Sequence, residues 1–319
     1  MSAAGTVRVW RGGHVESVHR FAWRLREPDG TVRGGGDIGP VFLRSAAKPF
    51  QALPAVRAGV LDRFQLTPRH LAVACASHGG DGQHLSRVAE ILLACGVGES
   101  ALGCGPLLPR DPSAAAALKG RPHRIHHNCS GKHALGLALC VCEDWPLEGY
   151  LDAGHPLQEA MHDAILEATG VNGAGVADAV DGCGMRTYAM DLDGLASAFA
   201  RLASGGLGPE GARVAAAMTE HPALVGFPGS IDTEIMAAAP GVVAKIGAEA
   251  VIAIGTPDGR GLAVKVLDGN GRAIDPAAVL CARDLLGLRV DGAPLEALAE
   301  PRIRNSRGAV VGRLDATLG

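Results

Sequence analysis

Strand-forming segments lie at both ends of this 319-residue chain, and helix-forming segments occupy most of its middle. Near the amino end, residues 7–10 and 17–25 predict two strands, because apolar and polar side chains alternate in the second of them. Near the carboxyl end, residues 251–254 and 262–267 flank a Pro-Asp-Gly turn and predict a hairpin. Since strands must bury at least one face, the economical arrangement is one antiparallel sheet built from both termini.

Apolar residues at three- and four-residue steps predict helices in the middle of the chain, most clearly at 83–95, with further helices at 156–169 and 193–202. We therefore expect an α/β (α+β) fold in which helices flank the antiparallel sheet and a helical lobe is inserted. The predicted organisation is a single domain, 1–319, with a sheet lobe (1–50 plus 225–319) and a mainly helical lobe (51–224).

Composition excludes several classes of protein. Hydrophobic residues make up 47% of the chain and charged residues 20%, which is typical of a globular protein. A net charge of -3 with 3% aromatic residues argues against a nucleic-acid partner. The longest apolar run, 134–142, is about half of the roughly 20 residues that a membrane span needs. No signal peptide is recognisable, so we expect a cytoplasmic location and reduced thiols at the eight cysteines.

The segment from Arg44 to Pro49 contains the spacing Ser45-x-x-Lys48. On a helix, this spacing places a hydroxyl and an amine on one face, within reach of each other. A serine becomes a strong nucleophile when a base takes its proton, and a neutral lysine amine can do this. The usual lysine pKa is about 10.4, so burial or another cation must lower it. The spacing alone is common, and a capping serine before an exposed lysine remains an alternative.

Ser77 and His78 follow an apolar stretch and precede two glycines, so they lie where a buried element emerges into a loop. Loops held by a rigid scaffold often carry functional residues. A turn with a hydrogen-bonded histidine is the structural alternative.

Residues 126–133 contain three histidines, a thiol, a hydroxyl and an amine, directly before an apolar helix. The amino end of a helix favours a thiolate or a carboxylate. A second cysteine, Cys183, lies in the glycine-flanked turn 181–184. Two thiolates and a third ligand suit zinc and leave an open position for water. Because Cys129 and Cys183 are far apart in the sequence, their spacing alone is weak evidence for a metal site.

Five segments together resemble the rhizobial-type asparaginase II family, over nearly the whole chain and in the same order: 44–51, 75–78, 128–133, 181–184 and 244–249. The resemblance implies a fold similar to that of serine β-lactamases and glutaminases. It also implies hydrolysis of a small molecule, L-asparagine, to L-aspartate and ammonia.

The same resemblance implies roles for individual residues. Ser45 and Lys48 would form one Ser–Lys couple, and Ser77 and Lys245 a second. Lys265 lies on a nearby predicted strand, but Lys245 begins a Lys-Ile-Gly segment that matches the strand-borne Lys-x-Gly of β-lactamase-like enzymes. In the implied reaction, Ser45 attacks the amide carbon with Lys48 as base, and the second couple relays the proton to the leaving ammonia.

The resemblance implies a zinc ion held by Cys129, Lys132 and Cys183, with a role in binding the substrate or in stabilising the fold. The candidate substrate-binding residues are Arg44, Gly131, His133, Asp181 and Gly247. Backbone N–H groups at Ser45 and Gly247 are the candidate oxyanion donors.

Three questions stay open from the sequence. The substrate could be glutamine or a β-lactam-like amide, because one methylene changes binding by only about 1–3 kcal/mol. A zinc- or thiol-based sensor without turnover is an alternative from another class, although it has no use for the Ser-x-x-Lys spacing. We expect a homodimer, but the sequence itself does not determine the oligomeric state. Threonine-based asparaginases are excluded, because their Thr-Gly-Gly-Thr segment is absent.

Overall fold

The computed structural model describes residues 4–319, with all side chains except that of Ala174. The strands are β1 (Gly5–Arg11), β2 (His14–Arg26), β3 (Val32–Gly35), β4 (Val41–Phe42), β5 (Ala177–Val180), β6 (Arg186–Met190), β7 (Val243–Gly247), β8 (Val251–Gly255), β9 (Gly261–Val266), β10 (Arg302–Arg304) and β11 (Val310–Thr317). The α-helices are α1 (Lys48–Gln51), α2 (Leu53–Arg57), α3 (Val60–Arg63), α4 (Pro68–Ala74), α5 (Gly82–Ala94), α6 (Pro112–Ala117), α7 (Ser130–Cys142), α8 (Pro156–Thr169), α9 (Leu192–Ala203), α10 (Gly208–Glu220), α11 (Pro222–Val225), α12 (Ile231–Ala238), α13 (Ile274–Asp284) and α14 (Ala293–Ala299). Within residues 4–319, none of these helices has the length and apolar character that crossing a membrane requires.

The described chain divides into two compact units. The first, called here the sheet unit, contains residues 4–46, 190–204 and 229–319. The second, called here the helical unit, contains residues 47–189 and 205–228. Helix α9 belongs to the sheet unit, whereas the approximate lobes drawn from the sequence had included it among the helices.

The sheet unit is built on one antiparallel sheet with the strand order β10-β11-β1-β2-β9-β8-β7, and β3 also pairs with β2. Strands from the two ends of the chain are neighbours, since β1 pairs with β11 and places Val9 opposite Leu314. The predicted antiparallel sheet from both termini is therefore confirmed, as is the hairpin formed by β8 and β9. Both of these strands are buried because α9 and α13 pack against the sheet.

The helical unit is organised around α7, which is buried along most of its length and packs against α2, α4 and α5. The predicted helices at 83–95 and 156–169 correspond to α5 and α8. One short antiparallel hairpin, β5 with β6, completes the unit. None of the eight cysteines, all within the described residues, forms a disulfide.

Candidate functional site

Ser45 lies in a 3₁₀ turn, Arg44–Ala47, that runs directly into α1. The sequence predicted a helix capped by Ser45, but the N-cap of α1 is Ala47 and Pro49 occupies its first turn. The chain therefore makes two short helical turns, with Ser45 in the first and Lys48 at the start of the second. Arg44 adopts a left-handed backbone conformation with φ of 50°, which residues other than glycine adopt mainly at constrained and functional positions.

Within the sheet unit, the last residue of β7 lies directly against the Ser45 turn. A Cβ atom at Gly247 would be 2.7 Å from the carbonyl oxygen of Leu43 and 3.3 Å from the amide nitrogen of Ala46. Only glycine allows this close approach without displacement of the backbone. The predicted oxyanion donor therefore lies beside the predicted nucleophile's turn.

Lys48 is buried in the helical unit and its amine is held by three neutral oxygens. Its Nζ donates to the carbonyl oxygens of Ala76 and, at 3.5 Å, Asn128, and it lies 3.2 Å from the Ser77 hydroxyl. The backbone N–H of Ser77 donates to the carbonyl of Val225, which fixes the loop after α4. The structure thus brings Lys48 and Ser77 together. Such a contact can carry a proton between amine and hydroxyl.

Lys245 lies on β7 in the sheet unit and is fully buried. Its Nζ is 2.6 Å from the carboxylate of Asp232, which is equally buried. The alternative residue, Lys265, is partly exposed on β9 and donates to the carbonyl oxygens of Glu249 and Val266. Sequence reasoning missed Asp232, because a carboxylate in the first turn of a helix such as α12 is common and gives no sign of a buried partner.

Cys129, Lys132 and Cys183 meet in the helical unit and are all buried. The amine of Lys132 is 3.3 Å from the sulfur of Cys183. Burial works to lower the pKa of Lys132, but the two cysteine sulfurs and Asp181 outweigh it and raise that pKa.

The two cysteines differ strongly in acidity. A hydrogen bond between them and the positive charge of Lys132 lower the pKa of Cys183, although burial opposes this. The same hydrogen bond, together with burial, raises the pKa of Cys129 well above its ordinary value. Without a metal, the cluster therefore contains a thiolate at Cys183, a thiol at Cys129 and an ammonium at Lys132.

His133, the next residue along α7, is held by Tyr150. The His133 Nδ1 is 2.6 Å from the Tyr150 hydroxyl, which also accepts the backbone N–H of Gly103. Burial lowers the pKa of His133, so its imidazole is neutral. The Cys183 sulfur, which interacts with this imidazole, opposes the effect of burial on that pKa. Tyr150 was not identified from the sequence, because nothing in its local segment distinguishes it.

His78 connects the Ser77 loop to the start of α7 through a hydrogen bond. Its Nε2 is 2.9 Å from the hydroxyl of Ser130, which itself donates to the carbonyl of Ile125. Because the Ser130 proton is used there, His78 must donate from Nε2, and its Nδ1 carries a lone pair. Burial holds the pKa of His78 well below its ordinary value, so the ring stays neutral.

Gly131 allows α7 to cross α4 at close range. A Cβ atom at this position would be 2.2 Å from the carbonyl oxygen of Val73, so the backbone would have to move to make room for it.

We expect Gly131→Ala to cost about 1–3 kcal/mol or more in the free energy of unfolding and to lower the melting temperature by roughly 5 °C. Gly136→Ala on the same helix is the control, because a Cβ there meets only the flexible side-chain ends of Leu157 and Met185. Equal melting temperatures for the two variants in calorimetry would contradict this interpretation.

Asp181 opens the turn that carries Cys183 and accepts a hydrogen bond from the backbone N–H of Gly182. In the part of the chain that the structure describes, no three His, Cys, Asp or Glu side chains are placed to hold a metal ion. The Cys129, Lys132 and Cys183 cluster contains only two residues of those types.

Comparison with known proteins gives the family. The family model for L-asparaginase II matches residues 7–316, which is nearly the whole chain. The chain belongs to the L-asparaginase II family, and the resemblance seen in its sequence is confirmed.

Similar solved structures are more distant. A crystal structure of Mglu in its native form is 17% identical with a TM-score of 0.46, and the match covers 86% of this chain and 66% of that chain. EstCE1, a hydrolase with promiscuous acyltransferase activity, is 13% identical with a TM-score of 0.37, covering 85% of this chain and 91% of that chain. The chain spans just under two thirds of the length of that Mglu chain. The search of curated proteins finds no significant match.

Proposed function

We propose that this protein hydrolyses the side-chain amide of L-asparagine to L-aspartate and ammonia, with Ser45 as nucleophile and Lys48 as base. Family membership supports the reaction class. The observation that carries the Ser–Lys chemistry is the buried amine of Lys48, held 3.2 Å from the Ser77 hydroxyl and three residues along the chain from Ser45.

The proposed reaction has two steps. The hydroxyl oxygen of Ser45 forms a bond to the amide carbon while Lys48 accepts the hydroxyl proton. Backbone N–H groups at Ser45 and Gly247 would stabilise the negative charge on the carbonyl oxygen. The C–N bond then breaks, and Ser77, hydrogen-bonded to Lys48, passes the proton to the leaving ammonia. In the second step water attacks the ester carbon and gives up a proton to Lys48. The ester C–O bond then breaks, Lys48 returns that proton to the Ser45 oxygen, and L-aspartate leaves.

We also propose that Cys129, Lys132 and Cys183 hold zinc. Their chemistry fits, because zinc binds thiolates and neutral nitrogens at about 2.0–2.3 Å, so nitrogen and sulfur ligands lie about 3.5 Å apart. The Lys132 amine and Cys183 sulfur, 3.3 Å apart, are close to that value. The imidazole of His133, which interacts with the Cys183 sulfur, adds a polar group next to the cluster. When bound, zinc would act as a Lewis acid that orients the substrate's α-carboxylate or α-amino group.

Several side chains are candidates for substrate contacts. Asp181 and His133 belong to the helical unit together with the cluster, and Arg44 is adjacent to Ser45 in the chain. A carboxylate suits the α-amino group of asparagine, whereas a guanidinium suits the α-carboxylate. Homodimer formation and a cytoplasmic location stay predictions.

Ammonia release tests the proposed function. We expect release from L-asparagine to exceed release from L-glutamine by at least tenfold in kcat/KM, because a pocket that fits asparagine must exclude one methylene. Activity should rise with pH toward the alkaline side, because a lysine base acts only after it has lost its proton. The measurement is a coupled ammonia assay from pH 5 to pH 10 with both amides in parallel.

Two outcomes would contradict the proposal. Higher kcat/KM for glutamine would make the protein a glutaminase with the same fold. A bell-shaped profile centred near pH 5 to 6 would indicate a carboxylate or histidine base and would remove Lys48 from its role.

A further inference from the structure

The amines of Lys48 and Lys245 contact different kinds of group, neutral oxygens in one case and a carboxylate in the other. The hydrogen-bond partners of Lys48 are neutral oxygens from Ala76, Ser77 and Asn128. Lys245 instead contacts a carboxylate at 2.6 Å, and both members of this pair are fully excluded from solvent. The two lysines therefore differ in whether a counter-charge lies next to the amine.

Asp232 is held as an ionised carboxylate by four donors. One oxygen accepts the hydroxyl of Ser230 at 2.6 Å and the backbone N–H of Thr233. The other accepts the amine of Lys245 and the backbone N–H of Ile246. Burial works to raise the pKa of Asp232, but the charge and hydrogen bond of Lys245 outweigh it and lower that pKa.

This arrangement determines the state of Lys245. Taking the proton from its amine would leave a buried carboxylate without a counter-charge, and an uncompensated charge in an apolar interior is strongly unfavourable. Lys245 is thus an ammonium in the folded protein.

Lys245 also lies on the strand that meets the predicted nucleophile's turn. Lys245 and Gly247 are two residues apart on β7, so both point to the same face of the sheet. On that face, a Gly247 Cβ atom would meet the backbone of Leu43 and Ala46, which lie on either side of Ser45 in the chain. All of these residues belong to the sheet unit.

We infer that Asp232 is a positioning residue that keeps Lys245 an ammonium, so that Lys245 acts as a fixed positive charge beside the Ser45 turn and not as a proton acceptor. This inference rests on the proposed function and refines it. It leaves Lys48 as the base, and it gives Lys245 the task of stabilising the negative charge that develops when the Ser45 oxygen attacks.

The first test is the pH–rate profile of Asp232→Asn with asparagine. We expect the wild-type activity to rise with pH and then reach a plateau. Without the carboxylate, the ammonium of Lys245 loses the counter-charge that lies 2.6 Å away in the wild type, so the variant should lose activity on the alkaline side, at least tenfold in kcat at pH 9. Lys265→Met, which removes the other strand lysine, is the control and should keep the wild-type profile. An Asp232→Asn profile that matches wild type would overturn the inference.

The second test replaces Lys245 by residues that keep or remove its positive charge. Lys245→Arg keeps a permanent cation and should retain at least a tenth of wild-type kcat, whereas Lys245→Met should lose at least 100-fold. Folded variants that are equally inactive would show that Lys245 must exchange a proton, and would overturn the inference.

A third measurement does not depend on activity. In Asp232→Asn, the folded protein disfavours the protonated amine of Lys245, whereas the unfolded chain still binds that proton. The free energy of unfolding of the variant therefore increases as pH rises. The difference in melting temperature between wild type and variant should therefore narrow from pH 7 to pH 10. A constant difference would overturn the inference.

A wild-type protein without asparaginase activity would count against the proposed function alone, since the melting experiment still decides the role of Asp232.

Discussion

Replacing Ser45 with alanine is expected to lower kcat for asparagine by at least about 10⁴-fold, because the attacking oxygen is removed and the remaining groups act only as a unit. Lys48→Met should have a similar effect, since the hydroxyl then has no base. The double variant should be hardly worse than either single variant, which is the pattern for residues that act in one step. Steady-state ammonia release measures all three.

Ser77→Ala is the matched comparison for Ser45→Ala. Ser77 contacts Lys48 directly, so it is the other hydroxyl that could attack. If Ser45 is the nucleophile, Ser77→Ala should slow proton delivery and lower kcat by about 10²- to 10³-fold, with a covalent ester still detectable by mass spectrometry after rapid quenching. A Ser45→Ala variant that keeps half of the wild-type activity would transfer the role of nucleophile to Ser77.

Cys183→Ser is expected to remove the proposed zinc, from about one ion per chain to below about a tenth, because the cluster loses its thiolate ligand. Lys132→Ala should have the same effect. KM for asparagine should rise, while kcat falls less than in Ser45→Ala, since zinc is proposed to orient the substrate and not to supply the nucleophile. Cys142→Ser on the same helix as Lys132 is the control and should keep its zinc.

Zinc affinity should also increase steeply with pH. The pKa values of Lys132 and Cys129 are both raised in the metal-free cluster, yet zinc binds the neutral amine and the thiolate. Each must lose a proton, so about two protons leave per zinc and affinity should rise by up to about 100-fold per pH unit. Competition with a chelator between pH 6 and pH 8 measures this.

Absence of zinc from the wild-type protein on elemental analysis would refute the site, and equal kcat losses in Cys183→Ser and Ser45→Ala would make zinc the source of the nucleophile.

The elements of the fold were largely predictable because their signals are local. Alternating side chains marked β2, and three- and four-residue apolar steps marked α5, since each pattern reflects which face of one segment is buried. The Ser45 turn was less predictable. A helix capped by Ser45 was expected, but the chain forms a 3₁₀ turn that ends before Lys48. Contact with Gly247, which is about 200 residues away, constrains that turn.

The sequence by itself determined the family, the sheet drawn from both termini, and the small set of hydroxyls, amines and thiols available for chemistry, because motif order and strand periodicity are properties of the chain. Only the tertiary structure decided which groups meet. It placed Lys48 against Ser77, Lys245 against Asp232, and His133 against Tyr150. These pairs join segments whose separation in sequence carries no signal, so the sequence alone could not reveal them. The contrast between Lys245, which pairs with a carboxylate, and Lys48, which contacts neutral oxygens, arises from that packing.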